Sequence, residues 1–552
     1  MKKGQRIAYL IALAVIVVLL VIAATSGNDL YGTLWSLMPP FVAIGLALIS
    51  KETFSSLFLG CFVGALLFSN FNIWNTVCNL IGPDVGITAQ LCDAWNMGIL
   101  VFLVLLGILV SLVNRGGGSA AFGRWAKKNI KTRCGAQLIT MLLGVIIFID
   151  DYFNCLTVGS VMRPVTESHK ISRAKLAYLI DATAAPVCML VPVSSWGAAV
   201  SGYVTDNVLE AGHTGIELFL SQIPYNYYCL GTLFMIIVIS VLNIDYGPMF
   251  EHEYNAQVKN DLFTTPERPY EGADDYEEGA SKSSVLDLIV PIIVLIISCV
   301  FSMVYTGGFF EGVDFLTAFA DCDAAYGLTI GGLISLVVTF AWFWVRGGID
   351  FVDSFHSIPK GLQQMAEPIL ILTFAWTLKS FTDGMGSSDF VNALLANADT
   401  LQKFLPAIIF VLACVIAFAT GTSWGTIGIM VPIVCSAFDP VNQWTLLQIG
   451  LAASCAGGVC GDHCSPISDT TIMASTGAHC FHLNHVTTQM TYAVTVIAVS
   501  FVSFIIAGFV QNAAICLIIN FALVLAVLLV IKSIVNRKYA DKIAEIKAAN
   551  AK

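Results

Sequence analysis

Charge is the scarce ingredient of this sequence. Asp, Glu, Lys and Arg supply 12% of its 552 residues, about half the ~25% usual in soluble domains. That scarcity excludes a soluble globular enzyme, a disordered chain and a nucleic-acid binder. The alternating ten-residue segments that build a membrane barrel are also missing. No glycine-rich loop has Walker spacing, Gly116-Gly117-Gly118 included, so ATP is not the energy source. No Gly-x-Ser-x-Gly nucleophile turn and no His-Glu-x-x-His pair occurs, and nothing calls for a cofactor. Long polar stretches are nearly absent too. The one between apolar runs, Ile244 to Ser284, is acidic, too short for a sizeable core, and reads as a solvated linker.

What remains is apolar. The share of apolar residues is 57%, and many runs reach the ~18 residues that suggest a transmembrane helix. The fold class is therefore an all-α polytopic membrane protein. Twelve spans are predicted, with cores at 7–24, 33–49, 54–70, 95–113, 174–203, 225–244, 285–305, 325–345, 364–381, 446–476, 488–510 and 513–535. The first run is longer than a signal-peptide core and is read as a span. Most of the 16 cysteines lie inside apolar runs, where they act as small hydrophobes. Cys78 and Cys92 share one loop and would pair there if it faces an oxidising compartment.

Segments 136–165 and 404–438 are each too long for one crossing, and polar or small residues interrupt both. Lys and Arg decide their threading. Basic clusters flank the first segment, Arg115 to Arg133 before it and Arg163 to Lys175 after it. Both lie on one side only if the segment is a re-entrant hairpin. The second segment then becomes a hairpin entering from the opposite side. Every Lys and Arg except Lys379 and Lys403 falls inside, and both termini are cytoplasmic.

This threading divides the chain. Residues 1–32 hold the first helix and an outer loop, 33–244 a first repeat, and 245–284 the acidic cytoplasmic linker. Residues 285–510 hold a second repeat of inverted topology, and 511–552 the last helix and a basic tail. Each repeat carries a hairpin (136–165, 404–438) and a broken helix (174–203, 446–476). Weak internal similarity supports it. Val161-Met162-Arg163-Pro164 matches Ile429-Met430-Val431-Pro432, and Pro192-Val193-Ser194-Ser195 matches Pro466-Ile467-Ser468-Asp469. Inverted repeats with interrupted helices suit alternating access, and irregular backbone at membrane depth is tolerated only beside a cavity or inside protein.

Polar groups at membrane depth are functional candidates. The first hairpin tip carries Asp150, Asp151, Asn154 and Thr157. Fourteen helical residues from Ala136 rise about 21 Å, enough to place the acid pair deep. Two such carboxylates are not expected to be ionised together without a cation. A carboxylate that takes either H+ or a metal cation couples the two by competition, though the pair could simply brace the tip. In the first broken helix, Asp181 could bind a cation or hold a neighbouring helix. Ser194 and Ser195 could bind Na+ or substrate, or cap freed backbone. The second hairpin offers Thr422 and Ser423. The second broken helix offers Asp462, His463, Ser465, Ser468, Asp469 and Thr470, a set of hard oxygen ligands plus one proton carrier or helix contact. The Na+ candidates are Asp150, Asp151, Asp462, Ser468 and Asp469. Cys460, Asp462, His463 and Cys464 do not have the spacing of a zinc site. His479, His482 and His485 read as a solvated face, and Glu367 and Asp383 as interfacial. Trp196, Trp376 and Trp424 pack or line a wider pocket.

Three of these motifs, Asp150-Asp151-Tyr152-Phe153-Asn154, Thr420-Gly421-Thr422-Ser423-Trp424-Gly425 and Gly461-Asp462-His463-Cys464-Ser465-Pro466-Ile467-Ser468-Asp469-Thr470-Thr471, resemble the NhaC family of Na+/H+ antiporters. The resemblance spans roughly residues 30–510. It implies a secondary exchanger of a bacterial or archaeal inner membrane, with hairpins and broken helices. It would put the ion site at Asp150, Asp151, Asn154, Thr422, Ser423, Asp462, Ser465, Ser468 and Asp469. The expected partners are the lipid bilayer, Na+ and H+, and a homo-oligomer is left open. It also leaves open a small organic solute, since similar members are linked to malate/lactate exchange, amino-acid transport and drug efflux. A cation channel or membrane metal enzyme is the remote alternative.

Overall fold

The computed structural model describes residues 3–25, 30–50, 53–268, 283–313, 315–320, 322–387, 390, 399–466 and 468–550. Among these residues every regular element is a helix. Seven helices are long and apolar enough to cross a membrane: Ala94–Arg115, Leu286–Thr306, Ala325–Arg346, Leu401–Phe418, Trp444–Cys464, His482–Val510 and Ala513–Lys538. An eighth crossing forms if Gly215–Tyr225 and Tyr227–Leu242, bent by 46°, are taken together. The remaining apolar helices are shorter.

Residues 136–165 fall on two helices, Arg133–Ile146 and Asp151–Ser168. The first ends where Ile147 leaves helical dihedrals (φ −91°, ψ 56°). Asp151 opens the second, with its carboxylate at the positive end of the helix dipole. Residues 404–438 likewise fall on Asp399–Thr420 and Ser423–Ala437, separated by Gly421 at φ +73°.

The expected broken helix 174–203 is more fragmented than one interrupted span. It forms three short helices, Arg173–Asp181, Ala185–Cys188 and Ser195–Gly202. Pro186 cannot supply an amide to the preceding helix, and Ser194 caps the last one. Its counterpart breaks once, between Trp444–Cys464 and Asp469–Gly477, where Ser465 turns extended ahead of Pro466.

These helices touch backbone to backbone. A Cβ at Gly457 would sit 2.5 Å from the Phe410 carbonyl oxygen, and one at Gly461 would sit 2.1 Å from that of Cys414. The spacing of four residues puts both glycines on one face, so Trp444–Cys464 lies directly against Asp399–Thr420. Cys155 and Gly159 meet Gly477 in the same way, joining the first hairpin to the second broken helix.

The linker departs from expectation. Pro248–Lys259 is a helix with Met249, Phe250, Glu253, Tyr254 and Ala256 buried. Its acidic composition hides a second face. Glu253 pairs with Arg133 and accepts the Ser172 amide at 2.8 Å, so the charge is buried with partners. The basic tail is also structured. Helix Ala540–Asn550 docks there through Lys542–Glu251 at 2.6 Å, and just before it Tyr539 stacks on Phe250. Residues 269–282 of the linker lie outside the described residues. Cys78 and Cys92 are exposed and unbonded, so the loop disulfide is not formed.

Candidate functional site

The polar residues singled out in the sequence separate into two buried clusters, with the remainder tying backbone. The first cluster joins both hairpins and both broken helices. Asp151 accepts the Trp196 indole N–H at 3.1 Å. Trp196 stacks on Trp424, with ring centroids 4.3 Å apart. Next to Trp424, Ser423 donates to Asp462 at 2.9 Å, and Thr470 donates to the same carboxylate oxygen at 3.2 Å. Ser468 lies 3.1 Å from Thr470. Asp150, Asp151 and Asp462 are all at most 3% exposed.

Local sequence explains the meeting of the two tryptophans. Ser194-Ser195-Trp196-Gly197 and Thr422-Ser423-Trp424-Gly425 are the same motif. In each, the first hydroxyl caps the helix by accepting the glycine amide, at 3.0 and 3.4 Å. Each cap places its tryptophan in the first helical turn. One motif opens a broken-helix segment and the other a hairpin arm, so they are not equivalent positions of a repeat.

The oxygen atoms suit a hard cation. Among the described residues, however, no three Asp, Glu, His or Cys side chains converge as a metal-holding group. One oxygen set that does converge is a single carboxylate with hydroxyls, Asp462 with Ser423 and Thr470 and, next to Thr470, Ser468. Asp469 opens its helix, but its side chain lies outside the described residues, as do those of Glu367 and residues such as Phe153 at the first tip.

The second cluster is centred on Asp181. Its Oδ2 accepts from Gln489 at 2.6 Å, His485 at 3.2 Å and Thr471 at 3.2 Å, with His463 Nε2 at 3.7 Å. Gln489 also donates to the His463 carbonyl at 2.5 Å, and Tyr228 bonds His463 Nδ1 at 2.8 Å. Asp181 is thus crowded by donors, an environment unlike that of Asp462. Thr470 and Thr471, adjacent in sequence, serve the two clusters separately.

His485 corrects the reading of a solvated histidine face: it is 0% exposed and bonded to Asp181. His482 is half-buried and bonds Ser475 and the Pro466 carbonyl. Gln489 and Tyr228 were not singled out by sequence. The available signal was the His485/Gln489 spacing of four, which puts two polar groups on one face of a helix start.

The other candidates, Thr157 apart, meet backbone. Asn154 Nδ2 lies within 3.0 Å of the carbonyls of Gly144, Ile147 and Thr183, bracing the tip against the first helix break. Ser194 Oγ lies 2.7 Å from both the Cys188 and the Val191 carbonyl, and its one O–H serves one of them or is shared between the two. The Ser195 amide donates to the Ile149 carbonyl at 3.0 Å, and that of Ser465 to Asp462 at 2.8 Å. Thr157 is turned away from the tip and meets Asn114 at 3.3 Å.

Beyond these clusters, towards the basic loops, Lys175 pairs with Asp245 at 2.7 Å, and Tyr492 donates to Asp245 at 2.9 Å. Burial would push the Asp245 carboxyl up, but Lys175 and Arg133 hold it below the ordinary carboxylate value. On the opposite face lies a cavity of about 770 Å³, floored by Ser201, Gly202 and Trp376. Trp376 donates to the Gly202 carbonyl at 2.9 Å. Asp383 lines this cavity with Lys379 and Asp206.

Comparison with known proteins gives four findings. A model of the Na+/H+ antiporter family matches residues 187–509. A Haemophilus influenzae protein, described only as uncharacterized, is 38% identical over 498 residues, covering 87% of this chain and 92% of its own length. The malate-2H+/Na+-lactate antiporter of Bacillus subtilis is 26% identical over 214 residues, 38% of this chain and 42% of that one. Among solved structures, Neisseria gonorrhoeae MtrF, reported as illuminating a class of antimetabolite efflux pumps, overlays with a TM-score of 0.48. It shares 11% identity over 80% of this chain and 85% of its own.

Proposed function

The chain belongs to the Na+/H+ antiporter family, a family of secondary transporters, and from that premise we propose that it exchanges Na+ for H+ by alternating access. The observation that carries the reading is the first cluster. Asp151 from one hairpin and Asp462 from the opposite broken helix are joined through Trp196, Trp424 and Ser423. A group held by four interrupted elements changes whenever those elements shift. Asp462, with Ser423, Ser468 and Thr470, holds the cation, and Asp150 and Asp151 share the competition between cation and proton. Asp181 with His463 braces the second broken helix.

The architecture proposed for this cycle has twelve spans and two hairpins, in inverted repeats 33–244 and 285–510, with 1–32, 245–284 and 511–552 outside them. The basic loops and both termini face the cytoplasm, an orientation the Lys/Arg distribution supports, and the membrane is the bacterial or archaeal inner membrane that the family resemblance implies. The antiporter works without ATP or a cofactor.

The test uses purified protein in sealed, voltage-clamped liposomes with a pH dye inside. An imposed Na+ gradient is expected to move protons, while K+ and choline do not. Asp151→Asn and Asp462→Asn should each lower the rate at least tenfold in folded protein. Normal exchange in both would remove these roles. A second reading, exchange of a small organic solute coupled to Na+ or H+, is favoured by the similarity to the malate/lactate antiporter and by a cavity larger than an ion needs.

A further inference from the structure

We propose that the basic helix Gly118–Asn129 is a binding surface for the headgroups of anionic phospholipids. The proposal concerns binding alone and holds whichever ion or solute the protein moves.

The stretch from Arg115 to Arg133 carries Arg115, Arg124, Lys127, Lys128, Lys131 and Arg133 without one Asp or Glu. Clusters of about four to eight cations beside a span attract anionic lipid. Two of these cations have protein partners: Arg133 pairs with Glu253, and Arg124 donates to the Ser283 hydroxyl at 2.8 Å. Lys127, Lys128 and Lys131 are exposed, and no ion pair among the described residues includes them. Their ammonium donors are open to phosphate oxygens.

The helix is tied to the membrane surface at both ends. It follows the span Ala94–Arg115 directly, through Gly116 and Gly117, the latter at φ +71°. Residues 130–132 then lead into Arg133–Ile146, the first hairpin arm. Twelve residues between two such segments, about 18 Å in length, have no freedom to leave the headgroup layer.

Its two faces differ. Ala121, Phe122 and Ala126 are buried, while Arg124, Trp125, Lys127 and Lys128 are exposed. Trp125 is 45% exposed, its ring 5.4 Å from that of Phe122. An indole beside lysines suits the boundary between acyl chains and charged headgroups. A free phosphate would answer the ammonium groups and leave the indole in water. A zwitterionic lipid would answer the indole but bring its own cation to the lysines. An anionic phospholipid answers both.

The buried face rests on the hairpin arm that begins with Asp151. A Cβ at Gly123 would lie 2.9 Å from the Val161 carbonyl oxygen in Asp151–Ser168. One at Gly118 would lie 2.5 Å from the Asp287 carbonyl carbon, at the start of Leu286–Thr306. With no side chain between backbones, helix and arm are held as one piece. Lipid bound to the exposed face therefore steadies the first hairpin, which makes stability the readout.

The experiment is thermal unfolding of the purified full chain in neutral detergent. The probes are dioleoylphosphatidylglycerol, dioleoylphosphatidylcholine and inorganic phosphate. Phosphatidylglycerol should raise Tm saturably by about 2 °C or more, and high salt should weaken the rise. Phosphatidylcholine and inorganic phosphate should have no such effect. The triple variant Lys127→Gln, Lys128→Gln, Lys131→Gln should lose most of the rise and Trp125→Ala about half of it, each still melting in one transition. Neutralising as many cations of the tail, with Arg537→Gln, Lys538→Gln and Lys547→Gln, should leave the rise in place. An equal rise with phosphatidylcholine, a rise with inorganic phosphate alone, or a rise that survives intact in either helix variant would overturn the proposal. So would loss of the rise in the tail variant, which would reduce the effect to bulk charge. A lysine variant that melts below wild type without lipid, with phosphatidylglycerol inert on both, would overturn it too and give the lysines to the acidic linker.

Discussion

At the scale of the residue, the two central aspartates of the broken helices differ by their neighbours. Asp462 is met by hydroxyls, which can turn their lone pairs to a cation. Asp181 is met by one hydroxyl, that of Thr471, and otherwise by the amide of Gln489 and the imidazole of His485, which offer it only protons. Gln489→Leu leaves Asp181 and the His463 carbonyl each short of a donor, a cost of about 1–3 kcal/mol per group. It should lower Tm measurably, and an unchanged Tm would remove this tie. The Lys175–Asp245 pair permits a pH test. The Asp245 carboxyl is held below its unfolded value, so its contribution is complete above roughly pH 4 and is lost as pH falls through the folded value. Asp245→Asn also strands a buried Lys175, at about 3–5 kcal/mol. The Tm gap between wild type and variant should be widest near neutral pH and narrow on acidification. A gap that widens in acid would reverse the assignment.

At the scale of the element, the hairpins and broken helices are positioned by close backbone contact more than by side-chain bulk. Gly461 and Gly45 make the comparison. Both are helical, but a Cβ at Gly461 runs into the Cys414 carbonyl, while one at Gly45 meets nothing within 4 Å. Gly461→Ala is therefore expected to destabilise by about 1–3 kcal/mol, and Gly45→Ala to be neutral or stabilising by up to about 1 kcal/mol. Melting both variants in one detergent checks the contrast. Equal effects would show that Trp444–Cys464 does not depend on this approach. The paired caps at Ser194 and Thr422 belong to this scale as well, since each fixes where a helix begins and so where its tryptophan lies.

At the scale of the whole molecule, the charge distribution and the folded surface describe two unlike faces. One carries the basic loops, capped by Pro248–Lys259 and the C-terminal helix. The other opens into the acidic cavity. Reporters fused after Lys552 test the orientation. A fluorescent protein there should fold and fluoresce in bacterial cells, and alkaline phosphatase there should stay inactive. The opposite pattern would invert the threading.

Much of this was legible in the chain because hydropathy and charge are local properties. Low charge and long apolar runs determine an all-helical membrane protein, and the polar motifs Asp150–Asn154, Thr420–Gly425 and Gly461–Thr471 mark the breaks. The three motifs also carry the family resemblance. Which polar residues meet was decided only by the tertiary structure. Nothing in the sequence around His485 says that it will touch Asp181, 304 positions away. Nor does anything there say that an acidic linker will bury Glu253 against Arg133, or that Trp196 will stack on Trp424. The reason is physical. In a membrane the hydrophobic term puts helices into the bilayer but does not choose their neighbours. That choice falls to close packing at small residues and to hydrogen bonds between segments far apart in the chain.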